Sequence, residues 1–367
     1  MNPLARQIAE IIRRDGPIGI DRYWNIALYD RGAGYYTTKN PLGRAGDFVT
    51  APEVSQMFGE LIGAWVAATW AAIGRPRPFR LVELGPGRGT LMADMLRTLR
   101  GVAPDCLAAA SIRLVETSES LAAIQAVTLE RFDLPIRRCR RFEEIEPGPT
   151  IVVANELFDA LAIRQIVFDG EAFRERLVGL SERSALEFVL GPQTPQAQAA
   201  ASRLSPPMAG AVLEISPERD RLASRIAARL ASEGGAGLFF DYGHAATGYG
   251  DTLQAVKAHA FADPLDRPGE ADLTSHVDFQ RLGAHFAAAG LAVSPVKEQG
   301  DVLLALGLLE RAGQLGASED TAARQVIEQA VARLAGNGQG QMGSLFKALA
   351  VATRPLPLPP FDAAVPD

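Results

Sequence analysis

The chain has 367 residues, 47 % of them hydrophobic and 22 % charged, with a net charge of −6 from 37 basic and 43 acidic side chains. That apolar share can bury a sizeable core, which excludes a disordered chain, and the acidic balance supplies no general basic field for a nucleic-acid backbone. Cys106 and Cys139 are too few for a disulfide framework or a cysteine zinc site, and four histidines argue against a histidine metal centre, so no metal is expected.

Charged residues interrupt positions 1–19, so the apolar core of about 7–15 residues that marks a signal peptide is absent. Glu10 and Asp15 weigh against a transit sequence. The apolar run from Phe58 to Ile73 falls short of the roughly 20 residues that span a bilayer. A cytoplasmic protein without stable membrane insertion is the expectation.

In chain order, Leu4, Ile8, Ile11 and Ile12 recur at helical spacing and predict an amphipathic helix over 4–14. The stretch 29–53, rich in Gly, Tyr and Thr, follows neither simple period and reads as loop. A helical pattern returns over Glu53–Ala72 and stops at Gly74, Pro76 and Pro78. From Phe79 the rhythm changes: FRLVEL (79–84), IRLVET (112–117), Ile136–Phe142 and TIVVANE (150–156) read as strands separated by helices. That alternation predicts a parallel sheet covered on both faces. Residues 163–215 break it with short strands (IRQIVF, FRERLVGL, LEFVL) and a polar, Pro-rich connection. A helix follows, with Ser216 as N-cap, Pro217 in its first turn and Gly234–Gly235 as its stop. It feeds the strand GLFFDYG (237–243). Residues 276–290 read as helix, 291–309 as a closing strand pair turning at Gly300, 310–335 as helix and 355–360 as a stiff proline-rich tail.

The sharpest local signal is LVELGPGRGTL (81–91), where Gly85, Gly87 and Gly89 separate a strand from a helix. Glycine there permits a tight turn and close approach of a ligand to the backbone. Glu83, two residues before the first glycine, would repel a pyrophosphate and attract an ammonium group. The Lys and Ser/Thr of a phosphate-binding P-loop are absent. The favoured ligand is therefore a nucleoside bearing an amino acid, as in S-adenosylmethionine; a ligand-free turn and a dinucleotide site remain alternatives. Glu116, closing the second strand, is placed to accept the ribose hydroxyls, or else serves the cap of the helix that begins at Ser118.

GDFVTAPEVSQMFGELIGAW (46–65), LVELGPGRGTL (81–91), VETSESLAAIQ (115–125), NELFDALAI (155–163), FFDYGH (239–244) and ADLTSHVDF (271–279) together resemble the MidA-like family of class I S-adenosylmethionine-dependent methyltransferases. Mitochondrial members of that family assist assembly of respiratory complex I and dimethylate an arginine of its 49 kDa-type core subunit. The resemblance implies an α/β fold: a Rossmann-like seven-stranded class I methyltransferase sheet with an N-terminal helical addition and an inserted subdomain. On it the chain divides into an N-terminal helical segment with an active-site lid (1–74), a first part of the core (75–162), an inserted subdomain (163–215), a second part of the core (216–310) and a C-terminal helical segment with the proline-rich tail (311–367). It also implies that Glu83, Gly85, Pro86, Gly87 and Gly89 line the methionyl end of the cofactor, that Glu116 holds the ribose, and that Phe142 and Glu143 lie at the adenine.

The acceptor side is expected beyond the carboxyl ends of the strands. Asn155, Glu156 and Asp159 fall there, and two carboxylates three residues apart suit a guanidinium held by paired hydrogen bonds; a helix cap is the alternative for Asp159. Asn155 is also a candidate cofactor contact. In the loop, Asp47, Phe48 and Thr50 are expected to fold over cofactor and substrate, with Tyr23, Tyr35 and Tyr36 walling the entrance. His244, ending a strand, is a candidate substrate contact or base, whereas His276, His285 and the cysteines read as packing residues. The expected partner is a protein substrate, the 49 kDa-type subunit of NADH:quinone oxidoreductase; no nucleic acid is expected, and a homodimer is compatible with the sequence. Methylation of a small amine and a non-catalytic assembly factor that keeps the fold are the rival readings.

Overall fold

In the computed structural model, residues 1–38, 49–193, 198–199, 204–257 and 260–361 are described. Seven strands form the central sheet: β1 (Phe79–Leu84), β2 (Ala110–Val115), β3 (Arg137–Cys139), β4 (Thr150–Asn155), β5 (Gly235–His244), β6 (Ala292–Val293) and β7 (Phe346–Ala352). Their spatial order is β6-β7-β5-β4-β1-β2-β3. The strands from β3 to β5 run parallel, and β7 is antiparallel to both of its neighbours. Two-residue strands at Val277–Asp278 and Lys297–Glu298 extend β5 and β7.

The helices that frame the sheet and the site are α1 (Pro3–Asp15), α2 (Ile20–Tyr29), α3 (Gln56–Ala72), α4 (Thr90–Val102), α5 (Glu119–Glu130), α6 (Pro217–Glu233) and α7 (Phe279–Ala288). The side chains of each strand alternate between two cores. Leu81, Ile112, Ile151, Val153, Leu238 and Phe240 pack with α3 and α4. Val82, Leu84, Val152, Ala154 and Phe239 pack with α6 and α7. Both faces are covered, which is why all six residues of β4 are buried and its sequence is apolar without alternation. The helix signals act as expected: Ser216 Oγ accepts from the Arg219 amide at the start of α6, and Gly234 closes it at φ +83°.

Between β4 and α6 the chain builds a second sheet from Arg164–Phe168, Phe173–Leu180, Leu186–Gln193 and Val212–Ile215. The N-terminal pair α1–α2 does not stand apart from it. Leu4, Ile8, Tyr23 and Trp24 share a third core with Ile163, Val178 and Leu273, and the Trp24 indole donates to the Ala160 carbonyl (3.0 Å). This bond fixes α2 against the loop that follows β4.

In the C-terminal third the helix expected over 310–335 is present as two, Leu308–Gly316 and Thr321–Ala335, but the expected closing strand pair is not. Residues 299–305 form a helix rather than half of a strand pair: Val302 and Leu303 are buried while Leu304 is exposed, a helical face rather than a strand. The closing strand is β7, whose alanine-rich FKALAVA carries little β signal and is drawn into the sheet by pairing along β5. The third strand is shorter than expected, only Arg137–Cys139 at the sheet edge. No helix among the described residues is long and apolar enough to cross a membrane.

Phe239 lies against Phe158 (centroids 5.7 Å) and Phe286 (5.3 Å) in the core under α7. Phe239→Ala leaves a cavity among packed rings and is expected to lower stability by about 3–5 kcal/mol, read as a lowered midpoint in chemical denaturation.

Candidate active site

The glycine loop turns between β1 and α4 with Gly85 at φ +61° and Gly87 at φ +53°. A Cβ on Gly85 would sit 2.9 Å from Leu157 Cδ1, so both the conformation and the space require glycine. Gln125, on α5, ties this loop to the end of β2: its amide donates to the Gly87 carbonyl (2.8 Å) and to Glu116 Oε2 (3.1 Å). The other carboxylate oxygen of Glu116 accepts from the Ser118 amide (2.7 Å). Ser118 itself caps α5 through its hydroxyl. Burial raises the pKa of Glu116, and the bonds from Ser118 and Gln125 work against that rise.

A cavity of about 600 Å³ opens beside this loop, past the carboxyl ends of the strands. Gly85, Gly87, Glu116, Phe142, Glu143 and Glu156 are on its wall. Phe142 presents one part of its ring there and packs otherwise in the core, with the Arg229 guanidinium 5.6 Å from the ring centre. Glu143 pairs with Arg225 (2.6 Å), also on the wall.

Glu83 is not on this wall. Strand alternation turns it with Leu81 towards α4, where it is 2 % exposed and accepts the Met92 amide. Burial pushes its pKa up to about 8, and Oε2 has no hydrogen-bond partner among the described residues. The expectation that this carboxylate lines the methionyl pocket is corrected accordingly: it supports the loop from the interior. Pro86 and Gly89 close the turn, the Gly89 amide donating to the Pro86 carbonyl (2.7 Å), and Gly89 caps α4. Thr50 precedes the short helix Ala51–Val54 and is likewise off the wall. Asp47 and Phe48 lie outside the described residues. Glu53 accepts the Thr90 hydroxyl (2.6 Å), docking the end of this segment at the start of α4.

On the acceptor side, β4 ends at Asn155 and the chain turns through Glu156 at φ +52°. That left-handed conformation costs a non-glycine residue about 1–3 kcal/mol. Glu156 Oε1 accepts from the Asn155 side-chain amide (2.9 Å) and the Ala51 main-chain amide (3.1 Å). Burial, then the nearby Asp159, push its pKa up to about 8. Asn155 itself is off the cavity wall, and its Oδ1 is buried without a partner among the described residues.

Asp159 is not on the cavity wall; it is buried behind it, against the Tyr242 hydroxyl. Asp241 is buried beside it and accepts the Phe158 (2.9 Å) and Asp159 (3.2 Å) amides. Burial raises both carboxyls, and Arg219 opposes the rise. The Arg219 guanidinium donates to the carbonyls of Phe158, Asp159, Ser275 and His276 and to the Ser275 hydroxyl.

His244 lies in a separate small cavity with His276 and Asp220, its Nδ1 2.8 Å from the Ala246 carbonyl. Three residues past Asp241, it has left the cleft and pairs with Asp278 instead. Tyr23 and Tyr35 are core residues; only Tyr36 of the three expected tyrosines reaches the cavity. Sequence reasoning missed Tyr29 and Gln125. Tyr29 ends α2 and stacks on Tyr36 (centroids 5.8 Å, 18°) on the wall. The one available signal for Gln125 was a polar residue at a buried helical position.

Residues 61–296 match a family of S-adenosyl-L-methionine-dependent methyltransferases. The mouse protein arginine methyltransferase NDUFAF7, mitochondrial, is 35 % identical over 87 % of this chain and 79 % of its own length. Its Drosophila melanogaster homologue is 35 % identical over 95 % of this chain and 84 % of that protein. A crystal structure from Burkholderia thailandensis, bound to S-adenosyl-homocysteine, is 27 % identical, with a TM-score of 0.84 over 95 % of this chain and 91 % of that one. The curated relatives are named as mitochondrial proteins, which overturns the expectation of a cytoplasmic location.

Glu156 ordinarily titrates near 4.5, and its folded pKa is about 8. Between those values the folded protein holds a proton that the unfolded chain releases, so stability falls as pH rises through this range. Glu156→Gln removes that contribution. Melting temperatures measured from about pH 5 to about pH 9 are expected to fall less steeply in the variant than in the wild type, both without ligand.

Proposed function

The chain belongs to the MidA-like family of S-adenosylmethionine-dependent methyltransferases, and from that membership we propose that it methylates an arginine side chain of a protein, a respiratory complex I subunit of the 49 kDa type. The observation that carries this reading is Glu156: a carboxylate on the cavity wall, aimed by a left-handed backbone and destabilised by burial until a cation reaches it. The relatives named as protein arginine methyltransferases support the choice of acceptor.

The residues present suit the cofactor. Gly85 and Gly87 leave the backbone open at the strand end, and Glu116 is held by Gln125 and Ser118 so that its remaining lone pairs are free for vicinal hydroxyls. Phe142 and Glu143 would flank the adenine, with the Phe142 ring as an apolar surface. When bound, S-adenosylmethionine supplies an electrophilic methyl group on a sulfonium.

Glu156 would accept N–H groups from one edge of the guanidinium, concentrating positive charge there and leaving the far nitrogen to attack. Asn155 holds that carboxylate through its amide nitrogen. Fixed position and exclusion of water supply most of the effect. Overall the acceptor nitrogen gains a methyl group and loses one proton. Glu156, on the cavity wall, would relay it towards solvent.

The test is transfer of labelled methyl groups to purified complex I subunits, with the modified residue read by mass spectrometry. Modification of an arginine is expected; labelling confined to other residue types rejects the reading. Glu156→Gln is expected to lower turnover about 10²–10³-fold, the scale of removing one well-placed electrostatic contact, while calorimetric affinity for S-adenosyl-homocysteine stays close to wild type. Glu116→Ala should show the reverse emphasis, weakening S-adenosyl-homocysteine binding about tenfold or more, which corresponds to about 1.4 kcal/mol.

A further inference from the structure

We propose that Tyr29 and Tyr36, braced by Asp272, form the wall that selects a planar cation as methyl acceptor; this deepens, and rests on, the arginine reading above. The two rings stack at 5.8 Å and 18°, and both border the cavity. Tyr35, wholly buried, packs edge-on against Tyr36 (5.3 Å, 83°) and holds it from behind. The Tyr36 hydroxyl donates to Asp272 Oδ2 (2.9 Å), on the strand Asp272–Thr274, which sets the ring plane. Tyr29 is different: it keeps 37 % of its surface accessible inside a concave site, an aromatic residue with room for a further occupant.

The surroundings specify the charge of that occupant. The carboxylates of Asp272, Glu218, Asp159 and Glu116 act on the Tyr29 hydroxyl, while the arginines on the cavity wall, Arg140, Arg141, Arg221 and Arg225, are each paired with a carboxylate. Aromatic faces carry negative potential and attract cations, and a flat guanidinium stacks on them where an ammonium makes only a point contact. The placement agrees with this role. The Tyr29 hydroxyl points to the Ala160 carbonyl (3.5 Å), in the loop that begins with Glu156, and Trp24 ties α2 to the same carbonyl. The tyrosine wall and the Glu156 carboxylate therefore border one cavity, so that a planar cation is stacked by one and hydrogen-bonded at its edge by the other.

The test uses the full chain saturated with S-adenosyl-homocysteine and titrated with acetyl-Gly-Arg-Gly-amide, followed by NMR. The citrulline counterpart, equal in shape and uncharged, and the lysine counterpart are the comparisons. Wild type is expected to bind the arginine peptide at least about tenfold more tightly than either, a difference of about 1.4 kcal/mol. Tyr29→Leu and Tyr36→Leu should each weaken the arginine peptide about tenfold, with S-adenosyl-homocysteine affinity unchanged; Tyr29→Trp should restore it. Variants that keep full peptide affinity overturn the tyrosine wall and leave the arginine reading standing. Loss of S-adenosyl-homocysteine affinity in step with the peptide overturns it too, by assigning the rings to the cofactor. A wild type that treats arginine and citrulline alike removes the arginine reading itself, and this inference with it.

Discussion

The turn that leaves β4 is held by three main-chain amides. The Glu156 amide donates to the Phe240 carbonyl of β5 (2.9 Å), and the Phe158 and Asp159 amides both donate to the Asp241 carboxylate. These bonds stop the strand, force Glu156 into its left-handed conformation and swing Leu157 against Gly85. The cavity owes its width to that turn. Asp241 is therefore a structural residue, although it lies near the end of a strand that the sequence marks as facing the cleft. It is the acceptor of amides that no helix or sheet satisfies, and buried amides rarely go without one.

The site concentrates negative charge where water is scarce. Glu116, Glu156, Asp159 and Asp241 are all raised in pKa, with burial as the leading cause. Arg219 is the buried cation among them, and its donors are taken by main-chain carbonyls and one hydroxyl. A cationic ligand offsets part of this burial cost, and the methyl donor of this family carries its positive charge on sulfur and nitrogen. Paired acids of this kind are poor contributors to stability and good contributors to selectivity. Preformed, strained geometry at Glu156 belongs to the same pattern.

The cavity is also a product of chain segments far apart. Its floor comes from the ends of β1 and β2, its acceptor side from the loop after β4, and its tyrosine wall from the end of α2 and the short helix Tyr35–Thr38. The second sheet and the third core clamp α2 in place, and Asp272 reaches Tyr36 across 236 positions. An insertion that looks like decoration on a sheet is thereby the support of one wall of the site.

Much of the frame was legible in the residues. Continuous apolar runs announced strands buried on both faces, Ser216 and Gly234 bounded α6, and three glycines after β1 marked a turn that side chains could not make. These features depend on local conformational preference and on period, which a linear chain displays. The destination of single side chains was another matter. Glu83 and Leu84 are neighbours, yet alternation sends one beneath α4 and the other to the cavity, and period two does not say which face holds a ligand. His244 looked like a cleft residue, but the end of β5 pairs with Val277–Asp278 and sets it in a separate cavity. FKALAVA became a strand only because β5 offered an edge to pair with. By itself the sequence determined the parallel sheet, its glycine turn and the acids after its strands, because those follow from neighbours along the chain. Which acids face the cavity, and which tyrosines stand opposite, was decided by contacts between segments that only folding brings together.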